Sequence, residues 1–256
     1  MFGAGTPLAK LLLGATSPWL LAGLLYLGSG LGLMVPRRFR HAAPARLHSE
    51  ERSWFIGAII AGGMIGPALL MWGLSAMPAS GAALLLNAEG VFTALLAWFA
   101  FHENFDRHIA FGMALIVTGT VVLSWPDEMR LGAALPALAV LSACFAWAVD
   151  NNLTRKVSLS DASYIAMVKG LAAGTTNLVL ALLAGAVPPG AGVGLAAAVL
   201  GFLSYGVSLT LFVVALRHLG TAQTGAYFCV APFFGALLAI PLLGEAINAP
   251  LVIAGY

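Results

Sequence analysis

Charge is what this chain has least of. Of its 256 residues only 9% are Asp, Glu, Lys or Arg, while 61% are hydrophobic and the mean hydropathy is +0.96. Soluble domains carry about a quarter charged residues, so an ordinary soluble fold is excluded. Cysteine is almost as scarce. Cys144 and Cys229 sit in apolar segments with no CxxC or Cys/His spacing around them, which argues against a disulfide framework or a metal site. His41, His48, His102, His108 and His218 all fall in or beside loops without an HExxH pair, and no GxxxxGK[ST] loop is present. Nothing therefore calls for a metal, a cofactor or a nucleotide-hydrolysing motor.

What is present is a series of long runs free of charge: Lys10 to Arg37, Arg52 to Glu89, Arg107 to Asp127, Arg130 to Asp150, Lys169 to Arg217 and Arg217 to Glu245 enclose only uncharged residues. Several of these fit one or two bilayer crossings of about 20 residues each. Glycine (30) and proline (13) are frequent. Membrane helix bundles tolerate both, because small residues let backbones approach closely. The expected fold is an all-α polytopic membrane protein. Helices are expected near 18–35, 54–76, 79–101, 107–125, 132–152, 163–185, 193–216 and 220–243, with partial ones at residues 1–13 and from 248. The first and last runs are too short to span, which predicts that both outer helices are truncated in this chain.

With loops alternating sides, Arg37, Arg38, Arg40, Arg46, Arg52, Arg107, Arg155, Lys156 and Arg217 fall on one side and only Arg130 on the other. The positive-inside rule makes the first side cytoplasmic. The basic stretch at residues 37–52 reads as a topology and lipid-headgroup signal rather than a nucleic-acid patch, since it also holds Glu50 and Glu51.

The chain also repeats itself. Residues 215–248 align without gaps on residues 73–106, an offset of 142, with Leu216 on Leu74, Phe234 on Phe92 and Glu245 on Glu103. This predicts two five-helix halves, residues 1–130 and 131–256. Because five is odd, the halves must cross the membrane in opposite senses, the inverted arrangement of many secondary transporters.

"GTPLAKLLL" in the first helix, "FCVAPFFGALLAIPLLGEAIN" in the ninth and the two-fold repeat together resemble the ten-helix, EamA-type members of the drug/metabolite transporter superfamily. The resemblance implies a 5+5 inverted fold, cytoplasmic termini in the complete protein, and export or uptake of small metabolites, often amino acids or related compounds. In the first half, "NAEG" stands opposite "CVAP" of the second, so that Glu89 occupies a place where the family pattern is apolar.

A carboxylate at the centre of a membrane helix costs about 2.5–3.5 kcal/mol. Three explanations compete for Glu89: a proton-carrying group, a counter-charge to a substrate ammonium, and a structural partner for a polar group on another helix. Asn87, about 200° away around the helix, cannot share its face. Asp150, Asn151 and Asn152 are expected near the end of helix six. They are either a flanking polar end or, since a looser match at an offset of 146 (residues 156–163 on 10–17) sets Asn151 and Asn152 opposite Gly5 and Thr6, part of a central cavity. Lys169 either snorkels to the interface or pairs with Asp150 or Glu89, and Asn177 follows it on nearly the same face. Tyr227 is expected as an aromatic wall, Pro232 as a kink or gate in helix nine, and Trp54, Trp98, Trp125 and Trp147 as interfacial anchors.

The sequence reading is an inner-membrane secondary transporter, an exporter of amino acids or amines by alternating access. Its substrate-binding or coupling residues are Glu89, Asp150, Asn151, Lys169, Asn177 and Tyr227. Its partners are a small-molecule substrate, the lipid bilayer and protons, with no nucleic acid and no enzymatic role. A non-transporting scaffold or sensor bundle and an integral membrane enzyme are the alternatives.

Overall fold

The structure is a computed structural model that describes residues 2–13, 15–39, 47–75, 85–86, 88–104, 106–123, 134–231 and, singly, 234, 238 and 242. Among the described residues every regular element is helical. In chain order they are α1, Phe2–Leu13; α2, Pro18–Phe39; α3, which starts as Ser49–Ala58, passes through a π-helical Ile59–Ile65 and ends as Gly66–Ser75; α4, Ala88–Ala100, π-helical over Leu96–Ala100; α5, Arg107–Leu123; α6, Ala134–Val157; α7, Ala162–Leu183; α8, Ala191–Leu219, with a π-helical Phe202–Val207 inside it; and α9, Thr221–Phe228. Pro18–Phe39, Ser49–Leu70, Ala162–Leu183 and Ala191–Leu219 are long and apolar enough to cross a membrane. The chain is a multi-pass helical membrane protein.

Helices two to nine occur in the expected order, with shifted ends. Pro36 lies within α2 rather than after it. α6 runs five residues past the expected end at 152, because Arg155 and Lys156 in its last turn suit the negative end of the helix dipole. Asp150, Asn151 and Asn152 thus lie inside α6, not at its end.

The longest helix contact is α2 against α7. Gly23 lies against Leu178, Leu27 against Gly174 and Gly30 against Leu171, so the two helices run antiparallel. A Cβ on Gly30 would sit 2.7 Å from the Leu171 backbone nitrogen, and glycine is what allows so close an approach in the absence of a hydrophobic drive between lipid-facing helices. Gly28 and Gly32 do the same for α8, whose Ala198 and Phe202 fill the space they leave.

α4 and α9 also run antiparallel. Glu103, just beyond α4, receives the Thr221 backbone N–H at 2.8 Å, the Thr221 hydroxyl at 2.8 Å and the Ala222 N–H at 3.3 Å. The carboxylate thereby satisfies the orphan donors at the start of α9, and Gly220, at φ +83°, makes the turn that presents them. Arg155 of α6 stands 3.9 Å from the same carboxylate.

This end of the bundle gathers the arginines. Arg217 of α8 donates to the carbonyls of Ser158 and Ser160, each at 2.6 Å, in the turn between α6 and α7. Arg37 of α2 pairs with Asp161, the N-cap of α7, and with Ser163. Partial burial of Asp161 works against ionisation, yet hydrogen bonds from Ser163, Arg37 and the Tyr164 amide hold its carboxyl below the usual range. A depressed folded value means this link stabilises the fold above the ordinary aspartate range and weakens only as pH falls through the lower folded value.

Candidate functional site

α4 presents Glu89 and, one turn on, Thr93 along one face. α6 meets that face with consecutive asparagines. The Asn151 side-chain NH₂ donates to Glu89 Oε1 at 3.1 Å and to Thr93 Oγ1 at 3.2 Å, and Asn152 donates to the Thr93 carbonyl at 3.1 Å and to Ala148 one turn back at 2.9 Å. Two helices are thus clasped by amide donors. The Asn152 Oδ1 is buried without a partner among the described residues.

The opposite side of α6 carries a second cluster. Lys169 of α7 reaches both oxygens of Asp150, at 2.6 and 2.7 Å, and the Thr154 hydroxyl at 3.0 Å; Thr154 in turn donates to Asp150 Oδ1 at 2.9 Å. Asp150 is 6% and Lys169 7% exposed, so Lys169 is an internal counter-ion and not a snorkelling end. A buried pair of this kind holds only when hydrogen bonds complete it, and Thr154 does so here.

Room for this pair comes from α3. A Cβ at Gly62 would collide with Asp150 Oδ2. Gly62 lies in the π-helical segment, where the widened turn loosens the backbone ladder, and its carbonyl accepts the Trp147 indole N–H at 3.0 Å. Trp147 is therefore tied to the bundle interior instead of anchoring an interface. In α8 the π-helical segment Phe202–Val207 places Tyr205 against Tyr26 of α2, ring centroids 5.2 Å apart.

Of the residues singled out in the sequence, Glu89 and Asn151 are joined directly, and Asp150 and Lys169 form the adjacent pair. Asn177 is buried on the Lys169 face, donates to Ala173 at 2.7 Å and leaves its Oδ1 unpartnered. Tyr227 stands apart, 62% exposed and hydrogen-bonded to Gln223. Pro232 and Asn87 lie outside the described residues. The sequence reading did not single out Thr93, Thr154, Gly62 or Tyr26; of these only the i+4 spacing of Glu89 with Thr93 and of Asp150 with Thr154 was a usable signal.

Electrostatically the site is asymmetric. Lys169 is neutralised by Asp150, whereas Glu89 has only amide donation from Asn151 and no paired cation among the described residues. No group of three metal-ligating side chains occurs among them either.

Comparison with known proteins agrees with this architecture. A protein of Methanothermobacter thermautotrophicus described as an uncharacterized transporter is 26% identical over 95% of this chain and 76% of its own length. A crystal structure described only as that of a protein superposes with a TM-score of 0.84 over 99% of this chain and 92% of its own, at 20% identity, a likeness of fold alone. Residues 1–125 match the model of the EamA-like transporter family. With the helices of the described residues in the expected order, a carboxylate held between them and a family match across residues 1–125, the chain is similar to the EamA-like transporter family over nearly half of its length and to an uncharacterized transporter over 95% of it.

Proposed function

We propose that the chain is a secondary transporter that exports small metabolites carrying an amino group, amino acids or amines, across the inner membrane by alternating access. Glu89 is its charge-carrying group. The observation that carries this reading is the imbalance at the site: among the described residues the lysine near Glu89 is already neutralised by Asp150, so the cation that Glu89 lacks among them is left to a proton or a substrate ammonium.

Two inverted five-helix halves supply the motion. The antiparallel packing of α2 on α7 and of α4 on α9 supports the inversion, because each pair occupies equivalent places in the repeat. Two of the three π-helical segments among the described residues support it independently: Ile59–Ile65 and Phe202–Val207 end 142 residues apart, the offset of the sequence repeat. Asn151, Lys169 and Asn177 line the polar path, and Tyr227 belongs to the part of α9 that moves. Gathering of Arg37, Arg155 and Arg217 at one end supports a cytoplasmic assignment for that end.

The hydrogen bond from Asn151 also favours a second reading, in which Glu89 is a fixed clasp in a bundle that moves nothing. Uptake of labelled amino acids and amines into proteoliposomes separates the two. The transporter reading expects saturable flux of at least one such solute above that of protein-free vesicles; folded protein without flux for any of them contradicts it.

A further inference from the structure

At the arginine-rich end a groove of about 780 Å³ opens between the first turns of α3 and the start of α7. Its rim is polar, with Arg52 and His48, and its walls are Phe55, Ile56, Ile59 and Val168. The two parts differ in what they ask of an occupant. The walls belong to helices of membrane length, so whatever lies along Ile56, which is 56% exposed, and Ile59 must be apolar. The rim asks for an anion: Arg52 is exposed and has no ion-pair partner among the described residues, while the nearby Arg37 is spent on Asp161. Glu51 is taken up by His48, whose backbone N–H donates to its carboxylate at 2.8 Å and whose ring Nδ1 lies 3.3 Å from the same oxygen, which leaves Arg52 to meet the demand; Glu50 is not among the groove's walls. Tyr164, between Arg37 at 5.5 Å and Phe55 at 6.4 Å, closes the α7 side with its ring.

We infer that this groove binds one anionic phospholipid, its phosphate at Arg52 and one acyl chain along Ile56, Ile59 and Val168. An anionic head on an apolar tail is the chemistry that fits both halves of the groove, and basic pockets between membrane helices hold such headgroups. The site is separate from Glu89 and does not depend on what the central site carries.

Native mass spectrometry of the full chain, equilibrated in micelles with equal amounts of phosphatidylglycerol and phosphatidylcholine, tests it. Preferential retention of phosphatidylglycerol is expected, and Arg52→Gln should cut that preference about fivefold. Arg38→Gln removes an equally exposed charge outside the groove and should leave the preference as it was. Ile56→Trp fills the apolar wall without touching the rim and should displace the lipid. Equal retention of the two lipids, equal losses in Arg52→Gln and Arg38→Gln, retention unchanged in Ile56→Trp, or displacement by millimolar inorganic phosphate would each overturn the inference.

Discussion

Lys169→Met is expected to destabilise the protein by about 3–5 kcal/mol, because it strands the Asp150 carboxylate at 6% exposure with only Thr154 to receive. The cost is that of an uncompensated buried charge and not the net value of the pair. Removing both charges, Asp150→Asn with Lys169→Met, should therefore recover most of the loss. Thermal unfolding of the parent and these two variants in one detergent checks this. A double variant no more stable than Lys169→Met would show that the pair contributes by packing and not by charge balance. Transport should separate from stability: if the pair's role is to neutralise Lys169 beside Glu89, the double variant keeps flux, whereas Asp150→Asn alone frees Lys169 to compete for Glu89 and lowers it.

Gly62→Ala is expected to be destabilising by about 1–3 kcal/mol through overpacking. The sign decides the matter. Within a helix alanine is favoured over glycine by about 1 kcal/mol, so a position with free space should gain from the change. Gly112 of α5, where an added Cβ meets nothing within 4 Å, is such a position, and Gly112→Ala should be neutral or stabilising. At Gly62 the new methyl must displace the Asp150 carboxylate from Lys169 or push Trp147 off the Gly62 carbonyl. In a background carrying Asp150→Ala and Lys169→Met, Gly62→Ala should cost little, since the obstructing carboxylate is gone. A cost unchanged in that background would mean that Gly62 serves the π-helical backbone rather than the ion pair.

Most of the bundle was legible because its signal is collective. Some twenty apolar residues in a row leave a membrane helix as the way to satisfy the backbone, and α2 to α9 follow those runs. Ends were less legible: α6 outruns its apolar stretch because Thr154 and Lys169 make Asp150 tolerable inside the helix. The Asp150–Lys169 contact was one of two pairings the charges allowed, and choosing between them required the register of α6 against α7. Glu103 was marked by the repeat, but its partner is 118 residues away at the start of α9, a distance no local pattern spans. Gly62 was one glycine among 30. Its importance follows from the π-helical turn and from Asp150 packing over it, and neither leaves a mark in the order of residues. Tyr227 shows the converse: it fitted an aromatic wall by position along helix nine, yet the rotation of α9 leaves it 62% exposed.

The central claim is that Glu89 carries the coupling charge, and Glu89→Gln tests it most directly because glutamine still accepts from Asn151 and preserves the clasp between α4 and α6. The measurement is flux of a transported amine or amino acid into proteoliposomes, with an imposed pH gradient and, separately, as solute exchange at equal pH on both sides. The account expects Glu89→Gln to fold, to lose stimulation by the gradient, and to lose exchange as well if the substrate ammonium itself sits on Glu89. Gradient-stimulated flux equal to that of the parent would contradict it and leave Glu89 as a structural clasp.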